Sequence, residues 1–216
     1  MNKIELTTNK LRKNFVKNID IFSDVNISYT NNEIIGLIGD NGSGKSTLMR
    51  IIAGVLSPSS GTVEFKVNDK MLERNDWNRH FAYVAPYVNL YEEFTPLEHY
   101  KIMADIKGIS FNEKKLDEEL KYFKLYRHKH SPIKGFSSGM KQRYKFILAE
   151  QSEVDILFLD EPTSNLDEDG ITKVFEVIKR KIDNGGTVVI ATNEERERIL
   201  CTRIYNIMDF KKSERN

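Results

Sequence analysis

A glycine-rich segment, GDNGSGKST from Gly39 to Thr47, constrains the fold of this chain more than any other feature. It matches G-x-x-x-x-G-K-[ST] and lies between a continuous apolar run, Ile34–Ile38, and a helical pattern, Lys45–Leu56. A strand, a glycine-rich turn and a helix in this order direct backbone N–H groups and a helix N-terminus at one point, where they bind phosphate. The segment therefore predicts a nucleotide phosphate site at the end of a buried strand.

Individual residues of this loop have separate expected roles. Lys45 is expected to reach the β and γ phosphates, and the Ser46 hydroxyl is expected to ligate Mg²⁺. Thr47 either assists or only begins the helix. The candidate nucleotide-binding residues of the loop are Gly39, Asp40, Asn41, Gly42, Ser43, Gly44, Lys45, Ser46 and Thr47.

A second apolar run, Val154–Leu159, delivers two carboxylates to the end of a strand. Open α/β sheets bind ligands at the carboxyl ends of their strands, so Asp160 is expected to hold a Mg²⁺-bound water there. Glu161 follows and is expected to polarise an attacking water and accept its proton. An ordinary acidic turn before Pro162 is the alternative, which the phosphate loop makes less favourable.

The order of elements predicts an α/β fold in one domain over residues 1–216. Short runs separated by turn residues predict an antiparallel part over about residues 1–80, interleaved with the core. Strand, helix and strand patterns after residue 154 predict a parallel sheet. Helical patterns between the two predict an inserted helical subdomain over about residues 87–151; they are Leu97–Lys107, Asn112–Tyr126 and Ser138–Gln151.

Composition excludes some partners and locations. The chain has 33 basic and 32 acidic residues, a net charge of +1, which gives no electrostatic reason to expect a nucleic-acid partner. A single cysteine, Cys201, excludes an internal disulfide and fits a reducing compartment. We expect neither a signal peptide nor a membrane span, so a role at a membrane would need another chain as anchor.

A third motif, FSSGMKQR from Phe136 to Arg143, lies between the two sites. Taken alone it is a helix N-terminus with Ser137 or Ser138 as cap. In this setting it resembles the LSGGQ signature of ABC-type ATPases, with Ser137 and Gly139 as the matching residues. The resemblance extends in order over essentially the whole chain, and it indicates the nucleotide-binding subunit of an ABC transporter, a P-loop NTPase.

The resemblance implies further roles and partners. Phe15 would stack on adenine, and Asp167 would end the D-loop, TSNLD. Two subunits, identical or paralogous, would enclose two ATP molecules head to tail, with Ser137, Ser138 and Gly139 contacting the ATP of the partner subunit. A separate transmembrane permease subunit would dock near the segment YVNLY, Tyr87–Tyr91, for which core packing under a loop is the alternative.

The chain departs from the family at two positions. Pro86 stands where the family usually has a glutamine that contacts the metal and couples the subdomains, so water or a backbone carbonyl would replace that ligand. Asn193 stands where the family has a histidine that touches the γ-phosphate. The Asn193 amide can donate a hydrogen bond, but it cannot carry a positive charge or transfer a proton. A capping role for Asn193, before a helix over residues 194–200, is the alternative. We expect intact ATP binding and continued hydrolysis, with slow turnover left open.

The predicted function is therefore an ATP-hydrolysing subunit of a membrane transporter, cytoplasmic and peripheral on the inner face of the membrane. An ABC-type ATPase acting on ribosomes or nucleic acid is the alternative. Such relatives usually join two ATPase sets in one chain or carry long coiled coils, and this chain has neither pattern. A GTPase is disfavoured because the chain lacks an [NT]-K-x-D guanine motif.

Overall fold

The computed structural model describes residues 2–17 and 19–211. Its strands are β1 (Ile4–Val16), β2 (Ile19–Val25), β3 (Ser28–Thr30), β4 (Ile34–Ile38), β5 (Ser60–Val67), β6 (Lys70–Met71), β7 (Phe81–Val84), β8 (Ile156–Asp160), β9 (Thr187–Thr192) and β10 (Arg203–Asn206). Its α-helices are α1 (Lys45–Ile52), α2 (Pro96–Lys107), α3 (Glu113–Tyr122), α4 (Ser138–Gln151), α5 (Glu168–Asp183) and α6 (Glu195–Arg198). The mixture of strands and helices confirms the predicted α/β class.

A five-stranded sheet in the order β10–β4–β9–β8–β7 carries the strand ends that matter for function. β10, β4, β9 and β8 run parallel, with Ile38 opposite Thr192 and Asp160 opposite Ala191. Every residue of β8 and β9 is buried. Burial on both faces explains their continuous apolar sequences.

A second sheet forms around the long strand β1. The first half of β1 pairs antiparallel with β5 and β3, and the second half, from Leu11, pairs antiparallel with β2. The register shifts between Asn9 and Arg12, where Lys10 has a positive φ of 46°. Such a bulge bends a strand and allows it to change partners. The second half of β1 is mostly polar and pairs through backbone groups. Hydrophobic patterning therefore does not predict it as a strand.

The chain divides into two compact units. The first comprises the described residues up to 83, residues 155–161 and the described residues from 180 onward; it contains both sheets except for the last residue of β7. Its core includes the rings of Phe65, Trp77, Phe81 and Phe158, which contact one another edge-on or tilted. The second unit comprises residues 84–154 and 162–179 and contains α2, α3, α4 and most of α5.

Backbone geometry sets helix ends that periodicity misplaced. α1 ends at Ile52 instead of Leu56, because Gly54 adopts a positive φ of 74° just past the last turn. α3 ends at Tyr122, and Lys124 follows with a φ of 60°. α5 begins at Glu168, because the Asp167 carboxylate accepts the Gly170 N–H at 2.9 Å and caps the first turn.

Candidate functional site

Three strand ends meet at one edge of the parallel sheet. The register sets Ile38, the last residue of β4, level with Thr192, the last residue of β9. The neighbouring pair aligns Asp160, the last residue of β8, with Ala191. The phosphate loop, the acidic pair and the asparagine therefore all start from adjacent strands of the first unit, at the edge where open α/β sheets bind ligands.

The loop from Gly39 to Gly44 turns directly into α1. Gly44 has a φ of 111° and offers no side-chain cap, so the first N–H groups of α1 are left for a ligand. A Cβ on Gly44 would lie 2.5 Å from Ile21 Cγ2. Glycine is required here both by the backbone conformation and by this close approach.

Lys45 folds over the loop in this structure. Its Nζ donates to the Gly39 carbonyl at 2.7 Å and to the Asp40 carbonyl at 2.9 Å, and the residue is 5% exposed. Ser43 is also buried, and its Oγ has no hydrogen-bond partner among the described residues. A cradle that combines an ammonium, a buried hydroxyl and open N–H groups fits an anionic phosphate.

The other loop residues differ in exposure. Asp40, Asn41 and Gly42 are exposed at the tip, whereas Ser46 and Thr47 in the first turn of α1 are half-buried. The tip residues are accessible to a ligand. The hydroxyls of Ser46 and Thr47 lie on α1, directly after the loop.

The two carboxylates of β8 have different environments. Asp160 is 1% exposed, with Tyr83 Oη 3.4 Å from its Oδ2. Glu161 is exposed and has a positive φ of 47°, while its N–H donates to the Ala191 carbonyl at 2.9 Å. A glutamate in the left-handed region is uncommon and costs conformational energy. The backbone thus leaves the strand direction at Glu161.

Asn193 contacts the phosphate loop. Its Nδ2 donates to Asn41 Oδ1 at 3.2 Å, a contact within the first unit. The capping alternative is wrong, because α6 begins after Glu194, and Glu194 makes no side-chain cap. Thr192 closes the preceding turn by accepting the Glu194 N–H at 2.8 Å. The Asn193 amide therefore serves the loop instead of the helix.

Phe15 lies near the end of β1 and is 67% exposed. Lys13 Nζ lies 4.8 Å from the centroid of its ring and also donates to the Ser57 carbonyl at 2.9 Å. A cation over an aromatic face attracts the ring electrostatically. The ring is accessible to a planar ligand.

In the second unit, the signature segment starts α4. The Ser137 hydroxyl caps the helix by accepting the Met140 N–H at 3.3 Å. A Cβ on Gly139 would lie 2.7 Å from the Asn165 carbonyl oxygen, so the segment and the D-loop are in close contact. An open cleft of about 340 Å³ lies between them and is lined by Ser137, Ser138, Gly139, Met140, Arg143, Asn165, Leu166 and Asp167.

Asp167 is fixed at this cleft by two donors. The Gly170 N–H and the Arg143 guanidinium both hydrogen-bond to its carboxylate. These two contacts, the backbone one first, lower the pKa of Asp167. The carboxylate is therefore ionised at neutral pH and holds the D-loop to α4 through Arg143.

Pro86 lies two residues after β7, and its contact with Lys145 was not predicted from the sequence. Lys145 of α4 donates to the carbonyls of Ala85, at 2.7 Å, and Pro86, at 2.8 Å. Lys145 stands between two large buried residues, Tyr144 and Phe146. A lysine between two large apolar residues in a helix was the signal that could have identified it.

The loop after Pro86 exposes aromatic side chains. Tyr87 is 43% exposed and Tyr91 is 61% exposed, so these two side chains do not pack in a core. His99 Nε2 accepts the Tyr91 N–H at 3.4 Å, which ties the loop to α2. Among the described helices, none is both long enough and apolar enough to traverse a bilayer.

Known proteins resemble this chain along nearly all of its length. The family described as ABC transporter matches residues 22–164. The lantibiotic transport ATP-binding protein SrtF of Streptococcus pyogenes is 30% identical over 209 residues, which is 95% of this chain and 84% of that protein.

Solved structures agree with the sequence relatives. A structure described as an ATP-binding subunit of an ABC transporter superposes with a TM-score of 0.83 at 29% identity, over 93% of this chain and 85% of that chain. The ATP-binding cassette MJ0796, solved as a dimer in a post-hydrolysis state with ADP and Pi, has a TM-score of 0.81 at 24% identity. That match covers 93% of each chain and shows likeness of fold.

Proposed function

This chain belongs to the ABC transporter family as an ATP-binding, ATP-hydrolysing subunit, and from that premise we propose which of its residues bind, hydrolyse and transmit. The observation that carries the proposal is the register of β4, β9 and β8, which brings the phosphate loop, Asn193 and the acidic pair to one edge. These three groups are what phosphoryl transfer to water needs: a phosphate cradle, a polar contact and a base.

Nucleotide binding is assigned to the phosphate loop and α1. In the nucleotide-bound state, Lys45 leaves the Gly39 and Asp40 carbonyls and turns its ammonium to the β and γ phosphates. The buried Ser43 hydroxyl and the N–H groups at the start of α1 supply neutral donors. Phe15, exposed on β1, stacks on the adenine ring.

Metal binding is assigned to Ser46 and Asp160. A hydroxyl and a carboxylate are hard oxygen donors, which suit Mg²⁺. The described residues contain no group of three or more His, Cys, Asp or Glu that could hold a metal. This fits a Mg²⁺ held chiefly by nucleotide phosphates and water. When bound, the ion would neutralise phosphate charge.

Glu161 is assigned the role of general base. Its exposed carboxylate and its positive φ, just beyond the last residue of β8, support this assignment. Asn193 is assigned a hydrogen bond to the γ-phosphate, because its amide already lies at the loop that would hold the nucleotide.

A second subunit is needed to complete the site. We assign Ser137, Ser138 and Gly139 to the ATP of the partner subunit, in a head-to-tail dimer. The open cleft beside them and the N-terminus of α4 support an anion contact from outside the chain. The MJ0796 cassette, which has a similar fold, was solved as a dimer with ADP and Pi, which supports the pairing of two subunits.

A transmembrane permease subunit is assigned to the loop after Pro86. The exposed Tyr87 and Tyr91 support a protein contact there, because exposed aromatic residues are typical of binding surfaces. The subunit would then be peripheral on the inner face of the membrane.

Nucleotide binding provides the direct test. We expect Lys45→Met to bind a fluorescent ATP analogue at least roughly tenfold more weakly than the parent, because a charge-assisted contact is lost. Lys70→Met is the matched control, since Lys70 is an exposed lysine of the same unit on β6. Equal affinity for Lys45→Met and the parent would contradict the assignment of the loop.

Membrane association separates transport from the alternative. We expect the chain to cofractionate with membranes only when its permease is co-expressed, and to bind ribosomes or nucleic acid no better than a basic-residue-matched control protein. Ribosome association that survives high salt would instead favour the non-transport reading.

A further inference from the structure

Lys145 is a buried cation with an uncommon set of partners. It is 8% exposed, and its two hydrogen-bond acceptors are neutral backbone carbonyls, those of Ala85 and Pro86. Burial first, and the Lys141 cation second, lower the pKa of Lys145, while Glu92 raises it. A buried charge held by carbonyls costs stability. An apolar side chain would fill the position better, so the lysine is expected to serve position more than stability.

The two carbonyls belong to the first residues after β7. Pro86 has no side-chain donor and no N–H, so it contributes only its carbonyl to holding the turn. The Val88 N–H reaches back to the Ala85 carbonyl at 3.2 Å, so that oxygen accepts from both sides. Lys145 thus supplies from α4 a second donor to the Ala85 carbonyl and a donor to the Pro86 carbonyl.

One face of α4 contacts both ends of the loop from Ala85 to Glu92. Ser138, Lys141 and Lys145 are spaced i, i+3 and i+7, which sets them on one side of the helix. Lys141 forms an ion pair with Glu92 at 2.6 Å, which ties down the far end of the same loop. A cavity of about 120 Å³ separates the face from the loop and is lined in part by Pro86, Val88, Leu90, Ser138 and Lys145.

We propose that Lys145 is a positioning residue that fixes the Ala85–Pro86 turn to the helix of the signature segment. A displacement of the loop that carries Tyr87 and Tyr91 then moves α4, and with it Ser137 to Gly139, as one body. The proposal rests on the proposed function of the signature segment. It adds the residue through which the loop acts on it.

Hydrogen–deuterium exchange of the nucleotide-free protein tests the proposal. Lys145→Met keeps the length of the side chain and removes the donor. We expect amides of residues 84–92 to exchange at least roughly tenfold faster, because two charged hydrogen bonds to the turn are lost. We also expect kcat for ATP to fall several-fold with the Kd for the ATP analogue unchanged, because the residues assigned to nucleotide binding do not include Lys145.

Two further variants keep the test decisive. Lys134→Met removes an exposed ion pair with Glu93 on the same loop, and we expect it to leave exchange and kcat unchanged. Lys145→Arg keeps a cationic donor, and we expect it to retain most of the protection of residues 84–92 even if Lys145→Met folds poorly. Parent-like exchange and kcat in Lys145→Met, or full loss of protection in Lys145→Arg, would overturn the proposal. Failure of the parent to bind ATP would instead refute the proposed function, because the exchange measurement needs no nucleotide.

Discussion

The side chain of Asn193 donates from Nδ2 to Oδ1 of Asn41 at 3.2 Å, which joins the end of β9 to the tip of the phosphate loop. The two residues are 152 positions apart in the chain. Both side chains are neutral amides, so the contact does not titrate near neutral pH. It places a donor at the loop without the protonatable group that the resemblance leads one to expect there.

We expect Asn193→Ala to lower kcat for ATP about tenfold, because a hydrogen bond to a charged phosphate is lost. We expect Asn193→His to turn over faster than Asn193→Ala, since an imidazole restores the donor and adds a titratable proton. Steady-state hydrolysis per folded molecule is the measurement. Asn41→Ala is the matched control, because it removes the acceptor of the amide pair and keeps the Asn193 amide. A loss of stability in Asn193→Ala with unchanged kcat would leave only a structural role for the pair.

Glu161→Gln is expected to abolish most hydrolysis while nucleotide binding continues. Loss of a general base typically costs at least about 10²-fold in rate. The variant is expected to elute as an ATP-bound dimer in size-exclusion chromatography, because hydrolysis normally releases the pair. Glu194→Gln is the matched control. Glu194 is an exposed carboxyl three residues beyond Ala191, the β9 residue that pairs with Asp160, and we expect the variant to keep the parent rate. Parent-like turnover in Glu161→Gln would show that another group takes the proton.

Gly139→Ala tests the close approach between the signature segment and the D-loop. The added Cβ would lie 2.7 Å from the Asn165 carbonyl oxygen, so the backbone must shift at a cost of about 1–3 kcal/mol. We expect a lower urea midpoint and a reduced ATPase rate. Gly135→Ala is the matched control, because a Cβ there meets nothing within 4 Å. Equal stability of the two variants would mean that the D-loop yields freely.

The unfolding free energy is expected to depend on His99 between about pH 6.5 and pH 4. Burial lowers the pKa of His99 from 6.5 to about 4, and the residue is 3% exposed. The depressed pKa means that the stability is fully present above pH 6.5. It is lost as the pH falls toward 4, because the unfolded chain takes up the proton first. Linkage with these two pKa values gives a loss of about 2 kcal/mol at pH 5.

The neutral imidazole of His99 has a partner on each nitrogen. Nε2 accepts the Tyr91 N–H, and Nδ1 lies 3.4 Å from the Tyr144 hydroxyl. Urea unfolding at pH 7 and pH 5 is the measurement. We expect the pH dependence to shrink in His99→Gln and to persist in His130→Gln, since His130 is exposed. An unchanged difference in His99→Gln would assign the effect to other groups.

Patterns among neighbouring residues predict the individual strands and helices. Ile34–Ile38 forms the predicted strand because its apolar run is continuous, and Ser138–Gln151 forms the predicted helix behind the Ser137 cap; both signals are local. The spacing of Gly39, Gly44 and Lys45 predicts the phosphate cradle for the same reason. Its residues are adjacent in the chain, and their geometry follows from the strand, the turn and the helix around them.

Contacts between residues that are distant in sequence depend on how the strands and helices pack together. The register of β4 with β9 brings Asn193 to Asn41, and the packing of α4 brings Lys145 to the carbonyls of Ala85 and Pro86. The Glu161 carboxylate leaves its strand through a positive φ that no residue preference indicates. These contacts join residues far apart in sequence, and periodicity reports only on the faces of single elements. Strand register and helix packing, which select the partner, arise when the elements assemble.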